Sequence, residues 1–525
     1  MTNPFRAVLS NCRGTCPGTL LLALVALLAI ATGWWQLVAA SDGLRVTRTL
    51  AGTVPVTLYR PASDTPAPAV VIAHGFAGSQ QMMQPYAITL ARNGYLVVTF
   101  DFAGHGRNPN PFVPNLLDQD QRLRVLLDGL EPAIEFALSQ PGADGRLALL
   151  GHSMAGDVLA RYAQSHPGTV AAMVLVSPYL SEAVHTADLR NLLLIYGALE
   201  PAMLHQQGLK VLAEAGADAT EVGTIYGNPA DGSARRLVLA DGVEHIGVLY
   251  GADGLAAARD WLNRVFARTG TGFVDDRGHW LGLLYLGLVA LAWPLARLLP
   301  RAASQPLGAN LRWRQLWPVA VAPALLTPLL LWPVPSDFLP ILLGDYLALH
   351  FALYGFISLL GLWLIRRRAG PMPASGGRVL WRGFAVAAFA TTLYFTFAIA
   401  IPTDRFVTTL LPGAERLPLV LALSLGTLSY FIADEWLTRG ASAARGAYPA
   451  TKALFLLSLL FAVLLNLNEL FFLIIIVPAI LVFFLVYGLL SGWAYRRTNH
   501  PLVGAIANAL AFASATAVTF PVVGG

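Results

Sequence analysis

From about Trp280 onward the chain is a succession of apolar runs of about 20 residues, each long enough to cross a bilayer as a helix, joined by short loops rich in arginine. We place these spans near 279–299, 316–335, 338–365, 383–401, 417–437, 452–467, 470–494 and 501–521, the weakest division being the hairpin "NLNEL" at Asn466–Leu470. A further run from about Gly18 to Ala39 precedes them, which makes nine spans in all. Composition follows the same division. The 525 residues are 56% hydrophobic and only 12% charged, whereas soluble domains carry roughly 25% charge. The deficit is uneven, because Asp42 to Arg268 reads as an ordinary soluble domain. The expected organisation is therefore 1–41 (N-terminus and first span), 42–270 (soluble domain) and 271–525 (membrane domain of about eight helices).

The net charge of +5 gives no nucleic-acid signal, because the excess arginine lies in loops between spans. Alternate loops carry Arg297, Arg301, Arg312 and Arg314; Arg366, Arg367, Arg368, Arg378 and Arg382; Arg439, Arg445 and Lys452; and Arg496 and Arg497. The opposite loops carry only Arg405 and Arg416. With Arg6 and Arg13 ahead of the first run, this asymmetry predicts a cytoplasmic N-terminus, a C-terminus outside and a soluble domain on the extracytoplasmic side. The setting it suggests is a bacterial inner membrane, with the soluble domain in the periplasm. "VAAS" at Val38–Ser41 offers a competing reading of the first run as a cleaved signal peptide, which would export the soluble domain equally well. Cys12 and Cys16 both precede that run, so the soluble domain folds without disulfides. They have no histidine nearby, and no other His/Asp cluster has ligand spacing, so neither a metal nor a cofactor is expected.

Inside the soluble domain, short apolar runs alternate with helical patterns such as Gln119–Ser139. The runs are "PAVVIAHG" (Pro68–Gly75), "YLVVTFD" (Tyr95–Asp101), "RLALLGHS" (Arg146–Ser153), "TVAAMVLVSP" (Thr169–Pro178), "NLLLIYG" (Asn191–Gly197) and "RRLVLADG" (Arg235–Gly242). Continuous apolar strands alternating with helices predict an α/β fold with a mostly parallel sheet covered by helices on both faces. Segments around Arg45–Leu50 and Val54–Arg60 suit an antiparallel edge. One strand ends in "GHSMAG", and "SMAGDVLARYA" then reads as a helix. A strand–Ser–helix turn holds Ser153 strained, with its oxygen exposed above the sheet. Strand and helix nearly collide there, so Gly151 and Ala155 supply small flanks, although alanine departs from the second glycine of G-x-S-x-G.

Five motifs in order now resemble the α/β-hydrolase family, over roughly Arg45 to Arg268. "HGFAG" (His74–Gly78) is similar to the family's oxyanion loop, "DFAGHG" (Asp101–Gly106) to its turn after the next strand, and "GHSMAG" to its nucleophile elbow. "YGALEP" puts Glu200, and "DGVEHIG" puts His245, where the family carries its acid and its base. The resemblance implies Ser153 as nucleophile, His245 as the base that takes its proton, and Glu200 as the group orienting the imidazole. It also implies the backbone N–H groups of Met154 and Phe76 as an oxyanion hole. His74, His105 and His152 compete for the base, and Glu182 for the acid. The segment from Pro178 to Asn191 is short for a lid, so the site is expected to be open unless the membrane domain covers it.

Several ionisable residues fall within the spans: Asp345, His350, Asp434, Glu435 and Glu469. Asp434 and Glu435 lie near a cytoplasmic end, where Glu435 can pair with Arg439 at i,i+4. Glu469 belongs to the outer hairpin. Asp345 and His350 read as deeper, either a structural polar pair or part of a substrate path. Taken together, the sequence predicts a membrane-embedded serine hydrolase cleaving a carboxylic ester of a lipid or other hydrophobic molecule. The alternatives are a peptidase or thioesterase of the same fold, or a lipid transporter or sensor whose hydrolase-like domain only binds.

Overall fold

The computed structural model describes residues 17–63, 65–116, 118–214, 216, 220–368 and 377–524. Arg6, Cys12, Arg13 and Cys16 lie outside the described residues. The chain forms two compact units. One comprises Thr32–Gly282 with Thr403–Thr409 and Pro521–Gly525; the other comprises Met1–Ala31, Leu283–Pro402 and Leu410–Phe520.

The first unit is built on a nine-stranded sheet of order β1-β2-β4-β3-β5-β6-β7-β9-β8. Its strands are β1 (Leu44–Ala51), β2 (Val54–Pro61), β3 (Ala67–Ala73), β4 (Leu96–Phe100), β5 (Ala143–His152), β6 (Val170–Val176), β7 (Leu192–Gly197), β8 (Ile225–Tyr226) and β9 (Arg235–Ala240). From β4 to β9 the neighbours are parallel. β1 and β2 join as antiparallel strands, as the sequence suggests, and β8 adds a short antiparallel edge that the sequence did not signal. The β1–β2 hairpin turns at Gly52, whose φ of +60° suits a tight two-residue hairpin loop. β1 is exposed along most of its length and β3 is buried throughout, the contrast expected between an edge and the centre of a sheet covered on both faces.

Alternate residues of the central strands, among them Val70, Ile72, Val97, Leu150, Val174 and Ile195, form one core with Tyr86 and Leu90 of α2 (Gln84–Arg92) and with Trp261 and Leu262 of α6 (Ala252–Val265). Packed against strands of the same sheet are α3 (Gln119–Leu138) and α4 (Met154–Ser165), and α5 (Ala202–Ala213) lies beside β7 and β9. The 178–191 loop is tied down, because the buried Arg235 guanidinium donates to the carbonyls of Thr186, Ala187 and Leu189.

Two distant segments of chain complete this unit. Thr409 donates its N–H to Ser79 Oγ (3.0 Å) and its hydroxyl to Gln81 Oε1 (3.0 Å), and Arg107 pairs with Asp404 (2.7 Å). Near the C-terminus, Phe112 N–H donates to Val522 O and Val522 N–H to Gly104 O.

Among the described residues nine helices are long and apolar enough to cross a membrane, which is compatible with a membrane protein. They are α1 (Pro17–Ala39), Gly278–Ala296, Trp313–Leu331, Gly344–Arg368, Trp381–Phe406, Ala414–Thr438, Ala447–Leu465, Leu473–Thr498 and Pro501–Thr519. Within the helical unit two carboxylates, adjacent in sequence, are buried with their own cations. Asp434 pairs with Lys452 and accepts from Thr451 Oγ1 (2.6 Å), while Glu435 pairs with Arg439 (2.8 Å) and accepts from Ser491. Lys452, read from the sequence as a loop charge, is therefore an interior residue.

The helix expected from Phe338 begins instead at Gly344. Asp345 is accordingly a buried helix-start residue, accepting from the N–H groups of Phe338 (3.1 Å) and Tyr346 (2.8 Å). His350 lies further along and hydrogen-bonds Ser458 Oγ (3.1 Å).

Candidate active site

Ser153 sits between β5 and α4 with φ +53° and ψ −118°, a backbone conformation that side-chain-bearing residues seldom adopt. The strand's last apolar residues are fixed between β3 and β6, and Ser153 N–H donates to Val176 O (2.9 Å), so the turn has no freedom to relax. Neighbouring positions are tight. A Cβ on Gly151 would lie 2.6 Å from Leu159 Cδ1, and one on Gly156 would lie 2.6 Å from Pro178 Cβ.

The turn points Ser153 Oγ at His245 Nε2, 3.0 Å away. His245 Nδ1 lies 2.5 Å from Glu200 Oε1, and the other oxygen of Glu200 accepts from Ser177 Oγ (2.8 Å) and Gly197 N–H (2.8 Å). With Glu200 as acceptor, Nδ1 carries the proton and Nε2 is left to accept from the serine. The Glu200 side chain is fully buried, and that of His245 is partly open to solvent. Serine, imidazole and carboxylate thus form one hydrogen-bonded line at the carboxyl ends of β5, β7 and β9. Ser177, at φ +47° just past β6, was not singled out from the sequence; its only signal there is a polar residue ending an apolar strand.

The backbone at Gly75 comes against the serine: a Cβ there would be 3.1 Å from Ser153 Cβ. Phe76 follows directly on this β3 loop. Met154 opens α4, in the first turn, where N–H groups have no acceptor within the helix. The rivals take other positions. His74 is buried, its Nδ1–H donating to Gly75 O (2.7 Å) and its Nε2 accepting from Phe102 N–H (3.1 Å), and burial pushes its pKa down. His105 is buried and holds Ala103 O through Nδ1. His152 donates from Nε2 to the carbonyl of His245 (2.9 Å), and burial, then the neighbouring His245, push it down to about 3, so it stays neutral while bracing the His245 loop. Glu182 is exposed on the loop after β6. Below the β3 loop, Asp101 accepts from Gln80 N–H, Gln80 Nε2 and Arg107 N–H. Among the described residues no three His, Cys, Asp or Glu side chains converge as a metal-holding group.

Residues 64–213 match the family model described as serine aminopeptidase, S33. The sheet-bearing part of the chain is an α/β-hydrolase domain. It is similar to cutinase 2 of Thermobifida cellulosilytica, with 30% identity over 157 residues, which is 28% of this chain and 55% of the cutinase. It is also similar to the monoacylglycerol lipase of Mycolicibacterium smegmatis, with 31% identity over 121 residues, 23% of this chain and 41% of the lipase. The chain spans about half the length of the curated relatives it matches. Among solved structures, an esterase of Pyrobaculum calidifontis aligns with 47% of this chain and 94% of its own at 18% identity and a TM-score of 0.33. The α/β-hydrolase domain presents several large apolar side chains past the ends of β6, β7 and β9: Tyr179, Leu199 and Ile246 in the connecting segments and Met203 in the first turn of α5 are all exposed.

Proposed function

We propose that the chain is a membrane-embedded serine hydrolase that cleaves a carboxylic ester of a lipid-like or hydrophobic molecule. The observation carrying this reading is the line Ser153–His245–Glu200, with hydrogen bonds of 3.0 and 2.5 Å. In the proposed mechanism, Ser153 Oγ bonds to the carbonyl carbon as its proton passes to His245 Nε2. The carbonyl oxygen becomes an oxyanion facing the N–H groups of Met154 and Phe76. Glu200 holds the imidazolium in place. As the C–O bond breaks, His245 gives its proton to the departing alcohol, and water then releases the acid from the acyl-enzyme by the reverse sequence of proton transfers.

The exposed Tyr179, Leu199, Met203 and Ile246 flank the loops bearing Glu200 and His245 and favour an apolar substrate. The names of the relatives, a cutinase and a monoacylglycerol lipase, agree with an ester. The aminopeptidase description of the family model favours peptide bonds as a second reading. We assign the soluble domain to 42–270, with the membrane segments at 1–41 and 271–525. The loop arginines support an extracytoplasmic hydrolase domain in a bacterial inner membrane.

The test uses the full chain in detergent. A fluorophosphonate probe should label the protein, Ser153→Ala should abolish both labelling and hydrolysis of short p-nitrophenyl esters, and peptide p-nitroanilides should be turned over poorly. Undiminished ester hydrolysis by folded Ser153→Ala would remove the serine mechanism. Faster anilide than ester turnover would shift the assignment to the peptidase.

A further inference from the structure

At the β1–β2 edge of the sheet unit lies a cavity of about 150 Å³ on which three arginines converge: Arg48 from β1, Arg107 from the loop after β4, and Arg405 from the 403–409 segment. Among the described residues no aspartate or glutamate lines it. Arg107 is partly neutralised by Asp404, but neither Arg48 nor Arg405 makes an ion pair among the described residues. Thr57, Tyr59 and Gln80 add polar groups. Burial pushes the Tyr59 phenol up, while the charges of Arg277, Arg48 and Arg405 pull against it, so their field reaches the cavity wall. The remaining lining is apolar and includes Leu37, Val38 and Phe406, which lie at the ends of the apolar helices Pro17–Ala39 and Trp381–Phe406.

Guanidinium groups match phosphate oxygens with paired N–H donors, and uncompensated arginines beside apolar helix ends are the chemistry that holds a phosphate-bearing amphiphile. We propose that this cavity is a binding site for a phosphate group, separate from Ser153. Its occupant is the headgroup of an anionic lipid or a free phosphate. Gln80 links the cavity to the loop carrying Phe76, since it lies four residues further along the same loop and is anchored on Asp101.

The experiment measures thermal unfolding of the full chain in neutral detergent, titrated with inorganic phosphate at constant ionic strength or with dioleoylphosphatidylglycerol, and with dioleoylglycerol as a lipid lacking phosphate. At least one phosphate-bearing probe should raise Tm saturably, by about 2 °C or more, and dioleoylglycerol should not. Saturation by phosphate assigns a free anion, and saturation by the phospholipid alone assigns a headgroup. In Arg48→Gln/Arg405→Gln the apparent affinity should weaken by about tenfold or more. Both side chains are exposed, so the unliganded Tm should hold; should the double variant not purify, Arg48→Gln on the surface of β1 carries the same comparison. A flat titration with both phosphate-bearing probes, or a response undiminished in the variants, overturns the proposal.

Discussion

Replacing Glu200 by glutamine keeps the shape of the site and reverses the logic of its hydrogen bonds. One carboxylate oxygen faces His245 Nδ1 at 2.5 Å, and the other accepts from Ser177 Oγ and Gly197 N–H, each at 2.8 Å. A glutamine has one oxygen and one NH₂ to meet these partners. If the NH₂ faced Gly197, two donors would oppose each other in a buried place, at a cost of about 1–3 kcal/mol. Ser177 can rotate its hydroxyl to accept, but Gly197 N–H cannot. The amide therefore turns its oxygen to Gly197 and its NH₂ to His245. The imidazole must then accept at Nδ1 and carry its proton on Nε2, the atom that takes the proton of Ser153 in the proposed mechanism. Wrong-tautomer substitutions of this type cost about 10⁴ in kcat, or about 5 kcal/mol at 1.36 kcal/mol per tenfold. We expect Glu200→Gln to lower kcat for p-nitrophenyl butyrate by about 10³–10⁴ with little change in KM. Ser177→Ala, which leaves the Gly197 bond in place, should lose only about tenfold. A folded Glu200→Gln enzyme within tenfold of wild type, or a larger loss in Glu182→Gln, would refute the assignment of the acid.

Two further outcomes concern the helical unit and the membrane. Lys452→Met leaves the Asp434 carboxylate buried without its cation, so it should destabilise the protein by about 3–5 kcal/mol, read as a lowered detergent Tm, and adding Asp434→Asn should recover most of the loss; equal Tm values for single and double variants would contradict the pairing. A cysteine in place of the exposed Glu182 should react with an impermeant maleimide added from outside, whereas one in place of Arg367 should not, and the opposite pattern would invert the proposed orientation.

Periodicity and apolar runs made the parallel strands legible, and the segments around Arg45–Leu50 and Val54–Arg60 suited the antiparallel β1–β2 edge. Ser153, Glu200 and His245 stand out because each follows the end of a strand within a few residues, and strand ends can be read locally. The features hidden from the sequence depend on partners far along the chain. Ser79 meets Thr408 and Thr409 across more than 300 residues, and Phe112 pairs with Val523, contacts that no local pattern encodes. Hydropathy also misjudged Lys452, because it scores a charge without seeing that Asp434, 18 positions away, receives it inside the bundle. The start of the helix bearing Asp345 differs for a related reason: "FLPILL" at Phe338–Leu343 is as apolar as a span, but the helix starts only at Gly344, with Asp345 satisfying backbone N–H groups at that start.

The alanine at the elbow has a geometric account. Strand β5 and helix α4 approach each other at Gly151 and Ala155, and a Cβ placed on Gly151 would come within 3.1 Å of the Ala155 Cβ. The methyl group of Ala155, itself fully buried, thus occupies space opposite a residue that has no side chain. The collision that usually calls for two glycines is relieved by one glycine here, because only one methyl has to fit between strand and helix. Gly156 meets a separate constraint on the other side of the helix, where a Cβ would strike Pro178 in the loop after β6. That loop begins at Ser177, which holds Glu200. A side chain at 156 would therefore press on the segment that fixes Glu200, and one at 151 on the turn that fixes Ser153. The small residues of "GHSMAG" set the position of both ends of the Ser153–His245–Glu200 line, even though two of its members lie outside the motif.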